Sequence, residues 1–461
     1  MKYYKKQLIT VVLSSVLLGG CTSTGSQPDT AVNAKIPAQW QNRVAGDAAN
    51  YSSQNDWWRI YQDEALNRLI SDVLAKNNDL AVAGLKLKKA RLQAGLAADD
   101  ELPSLAANIN TSTSRTLDSN ASASHSVSTS VSASYEVDLW GRLSHATSAA
   151  DWESQATASD LASTALSLTG TTAKLYWKTA YLTQRIALQQ DTVNRYEKLA
   201  SIAKARHAAG ATNAVDAASA LQSLMQAKAT LLSLQQQQSE TRNAIAILLD
   251  APPEALNYPF ADTLPASALP DIPAGIPART ISRRPDLVAA EQRLKSSLAT
   301  VEATRTSYYP KLTLTGSLGT SSNALKDLLQ NPVATLGAGL VLPFLQWDEM
   351  KKNVAISETD YAMAVSNYRQ AIYTALADVE NALSANQQYA TEASLLTQSY
   401  QSAKRVSTID EARYKAGQND LKTWLDALNA QQNAEASLLE NRLNRLNSQV
   451  TLWLSLGGAG A

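Results

Sequence analysis

The chain has 461 residues, with forty-one basic and forty-one acidic side chains, so its net charge is zero and nothing points to nucleic acid as a partner. A single cysteine, Cys21, excludes disulfides and thiolate metal sites within one subunit. His125, His145 and His207 have no metal-ligand spacing, and neither a Gly-x-x-x-x-Gly-Lys-Ser/Thr loop nor a Gly-x-Ser-x-Gly segment occurs. The residues therefore argue against an enzyme, and no cofactor is expected.

Residues 1–20 read as a signal peptide. Lys2, Lys5 and Lys6 form a basic start, and Leu8 to Leu18 is an apolar run too short to span a bilayer. Leu18-Gly19-Gly20-Cys21 resembles a bacterial lipobox, in which the cysteine is acylated and becomes the first mature residue. Thr22, rather than aspartate, resembles lipoproteins sorted to the outer membrane. Residues 21–65 then form a lipidated, extended N-terminal segment.

From there the chain says nearly the same thing twice, 207 residues apart. Asp79-Leu80 leads to Pro103, and Asp286-Leu287 leads to Pro310. Ala205-Arg206-His207-Ala208-Ala209-Gly210 returns as Ala412-Arg413-Tyr414-Lys415-Ala416-Gly417. A period this long is no solenoid repeat, since those run to about 20–50 residues. It reads as a duplicated half-protein, 66–250 and 281–456, with a linker at 251–280 and a tail at 457–461.

Each half begins with a helix and continues into two strands, at about 104–137 and 311–343. Leu105, Ala107, Ile109 and Thr111 alternate with Ala106, Asn108, Asn110 and Ser112, and Val127 to Tyr135 alternate with serines. Leu312 to Leu318 and Ala334 to Leu342 repeat the pattern. Period-two runs of about ten residues with one apolar face are the signal of an outer-membrane β-barrel strand. A soluble sheet with one wet face shares that pattern; the exported context and the serine ladders favour the membrane.

No proline occurs between Pro103 and Pro252 or after Pro343, which leaves two windows open for uninterrupted helix. Long helices over 142–209 and 347–416 follow, each about 100 Å at 1.5 Å per residue. Leu161, Leu168, Leu175, Leu182, Gln189, Tyr196 and Ala203 mark a heptad seam, matched by Tyr361 to Ala403 in the second half. Its small and polar members suit a broad, many-helix assembly better than a two-stranded zipper. Gly210 and Gly417 stop the long helices as C-terminal caps, and return helices run over 214–249 and 420–454.

Four strands cannot close a barrel alone, because the smallest known has about eight. Two chains would give a barrel filled by side chains, and three would give twelve strands and room for a pore. An even strand number places all the helices on one side of the membrane.

Several segments carry a resemblance. They are Asp56-Trp57-Trp58, Tyr61-Gln62-Asp63, Asn77-Asn78-Asp79-Leu80 and Pro273-Ala274-Gly275-Ile276-Pro277. Arg283-Arg284-Pro285-Asp286-Leu287, Tyr309-Pro310 and Arg413-Tyr414-Lys415-Ala416-Gly417 complete the set. On these, the chain resembles outer-membrane efflux proteins of the TolC superfamily, in the lipoprotein branch typified by OprM. The resemblance implies an α+β membrane protein: a homotrimer with a twelve-stranded outer-membrane β-barrel, a twelve-helix periplasmic α-barrel and a mixed equatorial domain. It further implies the outer membrane of a Gram-negative bacterium, and docking to a periplasmic adaptor and an inner-membrane transporter. The expected function is the exit duct of a tripartite efflux pump. A type I protein-secretion duct, a metal-ion efflux duct or a purely structural trimeric lipoprotein are the alternatives.

Superfamily members close the periplasmic mouth by polar links between helix pairs and by an acidic ring. By that resemblance Asp216 falls at the first-hairpin aspartate, Tyr414 at its tyrosine partner and Asp426 at a ring carboxylate. Asn419 stands where TolC itself has an arginine, and Lys422 where OprM-like members often place an apolar residue. Asp216, Tyr414, Asn419, Lys422 and Asp426 are thus the expected gate residues, with Cys21 the lipidation site.

Overall fold

The computed structural model describes residues 56–115, 123–256, 258–265, 278–323 and 332–458. The signal peptide, Cys21, residues 21–55, residues 257 and 266–277 of the linker, the two strand-connecting turns and the last three residues lie outside them.

Seven α-helices and four strands are formed among the described residues. They are α1 (Glu64–Lys76), α2 (Asn78–Asp99), β1 (Ser104–Ser114), β2 (Ser124–Val137), α3 (Arg142–Ala208) and α4 (Ala214–Leu248). Then come α5 (Pro285–Thr306), β3 (Lys311–Ser322), β4 (Pro332–Val341), α6 (Trp347–Lys415) and α7 (Leu421–Ser455). The bounds of α2 and α4 recur 207 residues later as those of α5 and α7, residue for residue. The helices α3 and α6 are 67 and 69 residues long, with proline absent from both.

The expected single helix at the head of the first half is instead two. Asn77 adopts an extended conformation and ends α1, while its side chain caps α2 by accepting from the Leu80 amide at 3.1 Å. Residues expected as extended chain before it include a 3₁₀ turn, Trp57–Tyr61. Asp63 caps α1 through the Ala65 and Leu66 amides and accepts the Tyr176 hydroxyl at 2.9 Å. One carboxylate thus starts a helix and ties it to α3.

That tie sits in the main core. Leu66, Leu69 and Ile70 of α1 are fully buried with Trp57, and pack on Tyr176 and Trp177 of α3, Ile245 of α4 and Leu446 of α7. This core fastens the roots of the two long hairpins to each other. Ile70→Ala is expected to cost about 2–5 kcal/mol of stability, read from thermal unfolding followed by circular dichroism.

Arg284 provides a second clasp. Its guanidinium reaches Asp286 at 2.8 Å and Asp378 of α6 at 3.1 Å, and also donates to the Ser455 carbonyl at the end of α7. The Arg-Pro-Asp segment thereby gathers α5, α6 and α7. Burial pushes the Asp286 carboxyl upward, but the Arg284 hydrogen bond and charge outweigh it and hold the group below its ordinary value. Stability from this contact is therefore full above the usual aspartate range, near pH 3.9, and is lost only as pH falls through the lowered value.

The strands form one antiparallel sheet in the order β1-β2-β3-β4. Register makes its two faces continuous. Ala107 lies opposite Val131, Val131 opposite Leu318, and Leu318 opposite Ala334. On the other face Asn108 lies opposite Ser130, and Ser132 opposite Ser317. Leu105, Ile109, Leu336 and Leu340 on the apolar face are all exposed. Among the described residues, strands β1 and β4 each leave one edge unpaired. Among the described residues, no helix is long and apolar enough to cross a membrane.

Candidate functional site

Both long hairpins turn by the same stereochemistry. Gly210 and Gly417 take φ of 70° and 73°, left-handed values that glycine adopts without a Cβ penalty. At the first tip the Gly210 amide donates to the His207 carbonyl and the Ala211 amide to the Arg206 carbonyl. At the second, Gly417 donates to Tyr414 and Gln418 to Arg413. Asn213 then caps α4 by accepting from the Asp216 amide at 3.0 Å, and Asp420 caps α7 through the Thr423 amide at 2.8 Å.

The tips are packed together. Tyr196, Leu199 and Ala203 of α3 meet Ala220 and Leu224 of α4 and Leu421, Leu425 and Leu428 of α7 in one buried cluster. Tyr196 donates its hydroxyl to Asn429 Oδ1 at 2.6 Å, a polar stitch inside that seam. Nearer the tip, Arg206 Nη1 donates to the Tyr414 hydroxyl at 3.0 Å while its guanidinium lies 5.4 Å from the ring centroid. Trp424 also packs on Tyr414, with ring centroids 5.2 Å apart and planes tilted by 32°. Cation–π and hydrogen-bond contacts therefore join the first hairpin to the second through one pair of residues.

The expected gate residues are placed as follows. Tyr414 is held by Arg206, and no hydrogen bond joins it to Asp216 within the chain. Asp216 lies in the first turn of α4, where the helix dipole favours a carboxylate, and makes no intrachain side-chain bond among the described residues. Lys422 donates to Asp426 at 2.6 Å one turn along α7, and both side chains are exposed. The Asp426 carboxylate raises the Lys422 amine above its ordinary value by hydrogen bond and charge. An exposed pair of this kind adds little to stability, so its consequence is local charge. Asn419 donates to the Asp410 side chain at 3.3 Å and so braces the α6–α7 turn.

A polar groove of about 530 Å³ opens among α3, α4 and α7, lined among others by Gln189, Gln222, Lys422, Asp426 and Asn429. Sequence reasoning placed Tyr196 in the heptad seam but missed its bond to Asn429, and it missed the contacts of Arg206 and Trp424 with Tyr414. Arg206 carried a signal, since it belongs to the Ala-Arg pair repeated at both tips.

Comparison with known proteins gives the same outline. The family model described as outer membrane efflux protein matches twice, over residues 69–250 and 276–458. The toxin and drug export protein A of Aggregatibacter actinomycetemcomitans is 29% identical over 455 residues, covering 98% of each chain. The pyoverdine export outer membrane protein OpmQ of Pseudomonas aeruginosa is 30% identical over 463 residues, covering 98% of this chain and 96% of its own. In fold, the CmeC outer membrane channel of Campylobacter jejuni superposes with a TM-score of 0.87 at 23% identity, covering 93% of both chains. The chain belongs to the outer membrane efflux protein family.

Proposed function

We propose that three copies of this chain form the exit duct of a tripartite efflux pump. The observation that carries this reading is the sheet: an apolar face continuous across four strands, a serine-rich opposite face and two open edges. Three such sheets joined edge to edge make a twelve-stranded outer-membrane barrel with the serines facing a water-filled lumen. The six long hairpins of three chains then make a twelve-helix tube on the periplasmic side, and the core around α1 forms an equatorial belt. The repeated element bounds suit an internal duplication that gives this tube near-sixfold regularity.

Transport through such a duct is passive, so energy comes from an inner-membrane transporter linked by a periplasmic adaptor. Relatives whose names carry drug, toxin and pyoverdine export suit small toxic compounds or secreted metabolites as cargo. Purified protein in planar bilayers is expected to give discrete single-channel conductance steps. A protein that inserts and stays electrically silent under all voltages and with its tips mutated would leave only a structural lipoprotein.

Anchoring adds a separate expectation. Mass spectrometry of the mature N-terminus should find Cys21 acylated and first in the chain, with Cys21→Ser abolishing the modification. Barrel insertion survives that substitution, because the barrel buries far more apolar surface than the acyl chains. An unmodified Cys21 in the native host would remove the lipid anchor and leave the channel reading intact.

A further inference from the structure

The groove among α3, α4 and α7 is lined by polar side chains that the helical framework does not itself demand. Its two walls carry the same amide pair: Gln222 and Gln226 of α4 stand 207 residues before Asn429 and Asn433 of α7. The floor is Gln189, Thr192 and Tyr196 of α3, all buried. One repeat on, the positions of Gln189 and Tyr196 hold Leu396 and Ala403. At the α7 rim stand Lys422 and Gln432, whose positions one repeat back hold the exposed Val215 and Met225. Apolar residues thus serve the same helix positions elsewhere in the chain. This groove is polar where its repeat-related surface is not.

Most of its hydrogen-bonding groups are open. Gln189 donates its amide to the Ala227 carbonyl at 2.9 Å, and Tyr196 donates its hydroxyl to Asn429 Oδ1, which fixes the floor. The side-chain amides of Gln222, Gln226 and Asn433 meet no partner among the described residues. Arg185 closes the end away from the tips, and its Nε is a buried donor with no partner among the described residues. At the tip end Lys422 and Asp426 cancel each other's charge. The surface therefore offers amide and hydroxyl groups of both hydrogen-bonding senses, with one guanidinium donor at its inner end.

Shape narrows the occupant. Lys422 and Ala436 mark the ends of the α7 wall, and the helix advances about 21 Å between them at 1.5 Å per residue. That length matches about six residues of extended chain at about 3.3 Å each. A hydrocarbon would strip water from these amides without replacing its hydrogen bonds. A peptide-like chain brings an N–H and a C=O with nearly every residue.

We propose that the groove is a cargo subsite for extended, amide-bearing molecules of peptide type, with a cargo carbonyl at Arg185. This rests on the duct reading, in which Asp426 faces the axis and the groove beside it opens on the lumen. To that reading it adds a chemical class that the duct wall itself favours. Binding at an open polar wall is weak, so cargo pauses and then leaves, as conduction requires.

The test is single-channel recording of the full-length protein in planar bilayers, with a probe in both chambers. The probe is an acetylated, amidated glycine–serine hexapeptide; the control is polyethylene glycol of equal mass, whose chain has acceptors but no donors. The peptide should interrupt the current in a concentration-dependent way, and the polymer should not. Gln189→Leu with Gln432→Met installs the residues that the repeat-equivalent positions already carry, and should shorten each interruption about tenfold. Gln226→Ala lies at an exposed position where folding is little affected, and should shorten the interruptions too. Conducting channels without interruptions, interruptions that the polymer reproduces, or interruptions that both variants leave unchanged would overturn the subsite and leave the duct reading standing. Electrical silence would remove the duct reading and the cargo role with it.

Discussion

The double variant Asp216→Ala, Tyr414→Phe should conduct more than the wild type in planar bilayers and make cells permeable to large antibiotics. Asp216 is held at the first turn of α4 with its carboxylate free of partners among the described residues, as a group that links to a neighbouring hairpin would be. Tyr414→Phe removes the hydroxyl that accepts from Arg206 yet keeps the ring beside Trp424 and beneath the guanidinium. The packed seam of Leu421, Leu425 and Leu428 below is untouched, so the tips loosen without the hairpins unfolding. Each lost hydrogen bond is worth about 1 kcal/mol, and in the proposed trimer three chains lose theirs together. About 3 kcal/mol shifts the closed-to-open ratio by roughly two orders of magnitude. Arg206→Ala should act in the same direction and further, since it removes the cation–π contact as well as the hydrogen bond, and Tyr414→Phe added to it should change little. A double variant that conducts like the wild type would make Asp216 and Tyr414 ordinary solvated surface.

Asp426→Ala should change selectivity rather than opening. Three carboxylates around one axis attract cations and hold multivalent ones at the mouth, which is the expectation from sequence. The structure adds Lys422 at 2.6 Å from each Asp426, so each chain brings a compensated pair. Removing the carboxylate leaves three uncompensated amines, and the channel should lose multivalent-cation block and move toward anions. Lys422→Ala should do the reverse, strengthening both cation preference and block. Both variants should keep the oligomer, since the exposed pair contributes little to stability. Reversal potentials under a salt gradient read the effect; unchanged potentials in both would place the pair outside the conducting path.

Much of this architecture was legible because it depends on local chemistry. Proline-free windows bound α3 and α6, Gly210 and Gly417 mark their ends, and period-two alternation marks the strands to within a few residues. The break at Asn77 was not legible, since no proline or glycine interrupts the chain between Glu64 and Ala83 to stop a single helix. Its side chain decides otherwise, capping α2 and donating to the Leu248 carbonyl far along the chain. Arg206 was missed for a related reason. Its partner lies 208 residues away, and periodicity says nothing about which polar groups meet across hairpins. The heptad seam shows a third limit. Leu182 and Tyr196 are buried within one chain, but their second-half equivalents Tyr389 and Ala403 are only half-buried. In the proposed trimer a neighbouring copy would complete such a surface.

The central claim is that strands with open edges are shared among copies, and the mass of the native particle tests it most directly. Detergent-solubilised protein, weighed by light scattering with the detergent contribution removed, should correspond to three chains. That is three times the 49.4 kDa precursor mass less three signal peptides. A stable, folded monomer in detergent would contradict the shared barrel and the duct built on it.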